Sequence, residues 1–239
     1  MIKIIFQLSE WSENVDALID AGYVRGVHLI IWLIAILFMY ISAIIFLKRS
    51  KNKNLIISQV WIFRSFALLF ILMSVTRIVF IFAYYFEPWY NFFLVVGYAF
   101  GALSLLPIIF TLEKWLIKWS RRIFTIIGVT LNILSFYFLI FKVLESPILR
   151  LIHQIGMPFL AVAFLILYLY LIKNSIGIVR KKAILTLLGM FIFVLGILLD
   201  SEQMLFSSLE TPYFNFLMYI SPVIFVLGIF LIDISQKIS

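Results

Sequence analysis

Seven stretches of about twenty apolar residues each constrain the fold of this chain more than any other feature. They lie at about residues 26–47, 57–85, 90–112, 123–143, 156–173, 183–200 and 212–232. A bilayer core takes roughly 20 residues of α-helix to cross, and backbone groups inside lipid must satisfy their own hydrogen bonds. The stretches also lack the alternating pattern of membrane strands. The sequence therefore predicts an all-α, polytopic membrane protein built as a seven-transmembrane helix bundle.

The composition agrees with this fold class and narrows the function. Of the residues, 65% are hydrophobic and 13% are charged, whereas soluble proteins have about 25% charged residues. The net charge of +8 does not indicate nucleic-acid binding, because the lysines and arginines cluster in short loops between the apolar stretches. The chain has no cysteine, which excludes disulfides and thiolate sites. We expect a multi-pass protein of the cell membrane whose main partner is the lipid bilayer.

The distribution of charge predicts the orientation. One side of the predicted bundle has thirteen basic residues, in loops 48–53, 113–122 and 180–182 and at Lys173 and Lys237. The other side has four basic residues and nine of the eleven acids. Since Lys and Arg are enriched in short cytoplasmic loops, we expect the N-terminus outside and the C-terminus inside.

Residues 1–25 form a separate segment ahead of the transmembrane domain, which we place at residues 26–239. Apolar residues recur there at helical spacing, and most of the acids lie off that stripe: Ile4, Leu8, Trp11, Val15 and Leu18. This pattern predicts an amphipathic surface helix. It either rests on the membrane or forms a lid over an outward-facing cavity.

Small residues and prolines indicate where helices pack closely or bend. The small residues lie at spacings that let helix backbones approach each other in lipid: Gly97, Gly101, Ser104, Gly189 and Gly196. Pro107 and Pro222 interrupt the third and seventh spans. Each proline is either a packing adjustment or a hinge.

Arg77 is the most unusual residue of the spans, because it lies about 15 Å below Glu87 by helical rise. Charges inside a membrane are expensive and often functional. Arg77 either pairs with Asp200 or Glu87 for stability, or binds a small anionic or lipid-like ligand. Three residues are expected at about the depth of Arg77, and Asp200 lies at the outer end of the sixth span. Together with Arg77 they form a candidate ligand site in an outward half-cavity: Arg77, Tyr98, Asn132, Asp200 and Tyr219.

No pattern for catalysis, metal or cofactor binding is present. The last span has no lysine that could form a retinal Schiff base, and the two histidines, His28 and His153, lie on different segments. Paired intramembrane aspartates are also missing. We therefore expect no catalytic residues, no metal and no cofactor, and a protein that is not an enzyme.

Three segments, GYAFGALSLLPIIFTLEKW (97–115), RKKAILTLLGMFIFVLGILLD (180–200) and TPYFNFLMYISPVIFVLGIF (211–230), carry a family resemblance. With them, the chain resembles the seven-helix N-terminal membrane domain of prokaryotic histidine kinases. The resemblance implies a sensor in signal transduction. Seven residues follow the last predicted span, so we expect no kinase module and a separate cytoplasmic or membrane signalling partner.

Two other functions remain open from the sequence. The first is a small seven-helix transporter or channel, although the two halves of the chain lack a matching pair of Gly/Pro-broken helices. The second is a membrane scaffold or assembly factor whose basic loops bind anionic lipid or a partner.

The predicted orientation can be tested with single cysteines, because the chain has none of its own. We expect Ser207→Cys to react with an impermeant maleimide in intact cells and Asn52→Cys to react only after the membrane is opened. Labelling of Asn52→Cys alone in intact cells would invert the orientation.

Overall fold

The structure is a computed structural model, and it describes residues 11–86, 89–141, 146–201 and 215–237. Every regular element in these ranges is helical, which confirms the all-α class. The α-helices in chain order are α1 (Trp11–Asp20), α2 (Gly26–Arg49), α3 (Ile57–Tyr85), α4 (Tyr90–Thr111), α5 (Ile123–Phe141), α6 (Ser146–Asn174), α7 (Gly177–Leu199) and α8 (Asn215–Ser235). Between α4 and α5 lie a π-helical turn (Leu112–Leu116) and a 3₁₀ turn (Lys118–Ser120).

Within the described residues, seven helices, α2 to α8, are long and apolar enough to cross a membrane. This confirms the seven-transmembrane bundle, and the chain is a multi-pass membrane protein. The solvent-accessible face of α2 illustrates the point, because it is lined by large apolar side chains that lipid would cover: Ile30, Leu33, Ile34, Leu37 and Ile41. Which end of the bundle faces the cytoplasm stays a prediction.

The helices pack as a closed ring with one helix outside it. Each helix of the ring contacts the next one, in the order α2, α3, α4, α6, α7, α8 and back to α2. Among the described residues, the substantial contacts of α5 are with α4 and α6. It is also the least buried of the spans. The helix α4 is the most buried span and contacts α3, α5 and α6. The helix α4 is the third span, so its high burial agrees with a central position of that span in the bundle.

Small and polar residues join α3 to α4. A Cβ atom added at Gly97 would lie 2.3 Å from the ring of Phe80, so the two helices approach closely there. Gly101 and Ser104 are buried on the same helix. At Pro107, the Ser65 hydroxyl donates to the proline carbonyl at 2.9 Å. These contacts pack α4 tightly, while a hinge at Pro107 stays a prediction.

The helices α7 and α8 are in backbone contact. A Cβ atom at Gly189 would lie 2.9 Å from the carbonyl oxygen of Gly228, and one at Gly196 would lie 2.9 Å from the backbone nitrogen of Phe225. The Ser221 hydroxyl donates to the carbonyl of Gly196 at 2.8 Å. Because backbone atoms lie close to both glycines, α7 and α8 have little room to slide against each other.

The N-terminal segment contacts the bundle in the described part of it, which begins at Trp11. Val15 and Leu18 of α1 are buried, and Asp16 and Ala17 beside them are exposed. The buried residues belong to an apolar cluster, here called the N-terminal cluster: Val15, Leu18, Tyr23, Val24, Ala83, Tyr84, Tyr90, Leu94 and Met218. The helix α1 thus covers the ends of α3, α4 and α8. Residues 1–10 lie outside the described residues, and the division of the chain at residue 25 stays a prediction.

The opposite end of the bundle is where α2, α4, α6 and α8 finish, and it is called the basic end below. The Asp233 carboxylate of α8 accepts a hydrogen bond from Arg49 of α2 at 2.7 Å and lies 2.8 Å from the Lys237 ammonium. This ion pair closes the ring of helices between α2 and α8.

The α7–α8 contact predicts a specific sensitivity to an added methyl group. In Gly228→Ala, the new Cβ would meet the backbone nitrogen of Phe193 at 2.5 Å and the carbonyl oxygen of Gly189 at 2.7 Å. We expect a loss of about 1–3 kcal/mol in the free energy of unfolding, measured by thermal unfolding in detergent. Gly156→Ala is the matched control, because its Cβ meets only the end of the Leu131 side chain, which can rotate away. Equal stability of the two variants would contradict the close α7–α8 contact.

Candidate functional site

Arg77 and Asp200 form a buried ion pair. Arg77 lies in α3, two helical turns before its end at Tyr85, and Asp200 immediately follows α7. The Nη1 group of Arg77 donates to Oδ2 of Asp200. The side chains are 5% and 2% exposed, respectively. Of the two acids considered as partners of Arg77, Asp200 is therefore the one observed, and Glu87 lies outside the described residues.

Aromatic rings surround the guanidinium group of Arg77. Its Cζ atom lies 4.3 Å from the ring centroid of Trp32, 5.3 Å from that of Phe225 and 5.8 Å from that of Phe80. Cation–π attraction at such distances strengthens when water is excluded. The rings come from α2, α8 and α3, the last being Arg77's own helix, so this one charged group contacts two other helices besides α7. The Nε group of Arg77 is buried without a hydrogen-bond partner among the described residues.

Tyr23 connects the N-terminal segment to the ion pair. Its hydroxyl donates to Oδ1 of Asp200 at 3.2 Å, so both carboxylate oxygens are used. Burial, aided by the nearby Asp200 carboxylate, raises the pKa of Tyr23 well above its usual range. The hydroxyl therefore stays protonated and remains a donor at any physiological pH.

A strained turn places Tyr23 in this position. Val24 has φ +54°, a left-handed conformation that is a real outlier for a β-branched residue. Two hydrogen bonds fix it: the Val24 amide donates to Nδ1 of His28 at 2.8 Å, and the Tyr85 hydroxyl donates to the Val24 carbonyl at 2.8 Å. Gly22, with φ +97°, provides the reversal before it. Strain of this kind persists only where surrounding contacts impose it, and it often marks a functional element.

The space beside the ion pair is small. A cavity of about 10 Å³ lies among Tyr23, Trp32, Arg77, Tyr84 and Asp200 and their neighbours, which is room for about one water molecule. The Asp200 carboxylate occupies the position that an anionic ligand of Arg77 would take. The outward half-cavity expected from the sequence is thus reduced, among the described residues, to room for about one water molecule.

The other sequence-predicted ligand residues do not line this cavity. The Tyr98 ring lies 5.3 Å from that of Phe80, at the edge of the N-terminal cluster. Tyr219 reaches the strained turn, where its hydroxyl would lie 3.2 Å from a Cβ atom added at Gly22. Asn132 is on α5, outside the ring, and its amide donates to the Gly128 carbonyl at 2.9 Å. Ligand binding by these residues stays a prediction.

Pro222 contributes to the site from α8. A proline has no N–H to donate to the carbonyl four residues earlier, which is that of Met218. The Nε2 atom of His28 in α2 is buried without a hydrogen-bond partner among the described residues, and the His28 ring centroid lies 4.7 Å from that of Tyr23. The proline therefore leaves the carbonyl of Met218, a residue of the N-terminal cluster, without its usual helical donor. A hinge at Pro222 stays a prediction.

Sequence reasoning missed two further carboxylate interactions, both at the basic end. Glu113 is buried in the π-helical turn and accepts hydrogen bonds from the amides of Phe124 and Thr125 at 3.2 and 2.8 Å, and from the Thr125 hydroxyl at 2.5 Å. It therefore caps the N-terminus of α5 from another helix. The pairing of Asp233 with Arg49 was also not foreseen. The available signal was that these are the two acids on the strongly basic side of the chain.

Comparisons with known proteins give no assignment: no family model, no curated protein and no solved structure matches this chain. The resemblance to the membrane domain of histidine kinases therefore stays a prediction.

The ion pair predicts strong, coupled effects of mutation on stability. We expect Arg77→Ala and Asp200→Ala each to lower the free energy of unfolding by about 3–5 kcal/mol, because each leaves a buried charge unpaired. The double variant should lose clearly less than the sum of the two. Thermal unfolding in detergent measures all three. Arg64→Ala is the control, since Arg64 is an exposed arginine of the same helix and should be replaceable at little cost. Additive losses would show that the pair is not coupled.

Proposed function

We propose that this protein is a sensor-like membrane receptor in which the Arg77–Asp200 ion pair is the signal-receiving group and α1 is its lid. The observation that carries the proposal is the hydrogen bond from Tyr23 to Asp200. It connects the segment covering the bundle directly to the one ion pair buried among the described spans. Breaking the ion pair would therefore loosen the lid, and moving the lid would disturb the ion pair.

The chemistry of the pair favours a particular class of ligand. A carboxylate or phosphate group is the competitor that replaces Asp200 on Arg77, because a guanidinium group binds both in a planar, two-point geometry. The rings of Trp32, Phe80 and Phe225 around Arg77 suit an apolar tail. The proposed ligand is thus a small anion with an apolar portion. Since the cavity has room for about one water, entry of the ligand requires Tyr23 and Val24, which line the cavity, to move away together with α1.

The contact between α7 and α8 provides a path for the signal. Release of Asp200 frees the end of α7, and α7 lies in backbone contact with α8 through Gly189 and Gly228. At its other end, α8 carries Asp233, which binds Arg49 and Lys237. A shift of α7 and α8 as one unit would therefore alter the ion pair at the basic end. A separate signalling partner would detect that change.

Accessibility beneath the lid tests this proposal. In an otherwise cysteine-free chain, Val15→Cys places a thiol on the buried face of α1, and we expect slow labelling by maleimide. Adding Asp200→Asn should raise the labelling rate at least about tenfold, because losing about 1.4 kcal/mol of closing free energy raises the open population tenfold. Tyr23→Phe, which removes one hydrogen bond, should raise it less. Octanoate, a carboxylate with an apolar tail, should also accelerate labelling, and Arg77→Lys should abolish that acceleration.

The matched control is Asp16→Cys, one residue away on the exposed face of α1. Its labelling should be fast in every background. If Asp200→Asn leaves Val15→Cys as slow as before, the ion pair does not keep α1 closed and the proposed mechanism fails. Rapid flux of octanoate or another anion through liposomes containing only the purified protein would favour a transporter instead.

A further inference from the structure

The connection between α4 and α5 presents a cluster of cations on a rigid base. Lys118, Arg121 and Arg122 are exposed, while Ile117 before them and Ser120 between them are buried. The Ile117 amide donates to the Leu112 carbonyl at 2.8 Å. The loop is therefore packed into the bundle through some of its residues and displays the others.

The acids of the basic end do not neutralise this cluster. Glu113 is 3% exposed, and its carboxylate is used by the amides and hydroxyl at the start of α5. Asp233 is used by Arg49 and Lys237. In the described ranges, no ion pair involves Lys118, Arg121 or Arg122. Among the described residues, their positive charge is therefore not neutralised by an acid.

The backbone is strained at the two arginines that connect the 3₁₀ turn to α5. Arg121 has φ +48° and Arg122 has φ +66°, two consecutive left-handed residues where glycine would be favoured. Such conformations tend to persist at functional sites. The two arginines are consecutive immediately before α5, and the Cζ atom of Arg122 lies 5.9 Å from the ring centroid of Phe110. Glu113 already accepts from the amides of Phe124 and Thr125, so an anion at this place would be bound mainly by side chains.

Exposed aromatic residues beside the cations indicate that this surface lies at the level of the lipid headgroups. The Trp119 side chain is 51% exposed, and its ring lies 5.8 Å from that of Tyr170, which is also exposed. Lys173 is exposed one helical turn further along α6. Exposed tryptophan and tyrosine at the ends of transmembrane helices lie at the level of lipid headgroups. Cations at that depth attract anionic lipids.

From this arrangement we infer that Lys118, Trp119, Arg121, Arg122, Tyr170 and Lys173 form a binding site for the headgroup of an anionic phospholipid. The arginines bind the phosphate, Lys118 and Lys173 add positive charge, and the two rings lie along the glycerol and upper acyl region. The inference holds for either orientation of the protein, because it concerns only the leaflet at the basic end.

Because the two arginines are strained, a substitution there can remove the binding charges without lowering the stability of the fold. Arg121→Gly/Arg122→Gly removes two charges and relieves two left-handed conformations, so the variant should unfold at the same temperature as the parent or higher in neutral detergent. Lys51→Gln/Lys53→Gln is the matched control, because it removes two exposed charges at the same end, between α2 and α3. The probe is a nanodisc of equal parts phosphatidylcholine and phosphatidylglycerol, and native mass spectrometry counts the lipids that remain bound.

For the parent we expect phosphatidylglycerol to be retained at least threefold over phosphatidylcholine. The glycine variant should lose this preference, and the Lys51/Lys53 control should keep it. Quenching of Trp119 by brominated phosphatidylglycerol, measured as the signal that Trp119→Phe removes, should decrease in the glycine variant. No preference in the parent would overturn the inference. Equal loss in the glycine variant and the control would also overturn it, since net charge alone would then explain binding. Capture of a protein at Lys118 with no lipid preference would assign the surface to a protein partner instead.

Discussion

The buried pair of Arg77 and Asp200 is the interaction on which the rest of this structure depends. A guanidinium group at membrane depth needs a partner, because an unpaired charge there is far more costly than a paired one. Satisfying it requires α7 to end beside α3, and it brings Trp32 of α2 and Phe225 of α8 against the cation. One charged side chain thus determines how four helices meet. The apolar packing elsewhere, which lacks directional groups, can adjust to that arrangement.

The sequence predicted the spans well and the site only in part, and the reason is geometric. Helix length and hydropathy are local properties, so the seven spans were readable from runs of apolar residues. For Arg77, helical rise left Asp200 and Glu87 as possible partners, and the structure shows the pair with Asp200. Depth alone, however, does not give the direction in which a helix face points. Asn132 was expected at a depth similar to that of Arg77, yet it lies on α5, outside the ring, a position that sequence spacing could not predict.

The strained turn before α2 shows a second limit of sequence reasoning. Tyr23 lies 177 residues from Asp200, and Val24 adopts a backbone conformation that its own side chain disfavours. Neither fact has a local signal, because β-branched residues predict extended structure. Two hydrogen bonds hold Val24 in this conformation, one to His28 four residues later and one from Tyr85, 61 residues later. The turn most closely connected to the ion pair is therefore specified in part by contacts that are distant in sequence.

The two ends of the bundle use carboxylates in opposite ways. Near the N-terminal cluster, Asp200 neutralises a cation inside the protein, so that the interior there carries no unpaired charge. At the basic end, Glu113 and Asp233 are both consumed by internal contacts, one with a helix N-terminus and one with Arg49. The two acids differ in their effect on the surface charge of this end. Asp233 neutralises cations of the same end, whereas Glu113 is used by uncharged amides and a hydroxyl. Folding therefore leaves the exposed cations at residues 118–122 without either acid as a partner, and the charge asymmetry that predicts orientation persists in the folded bundle.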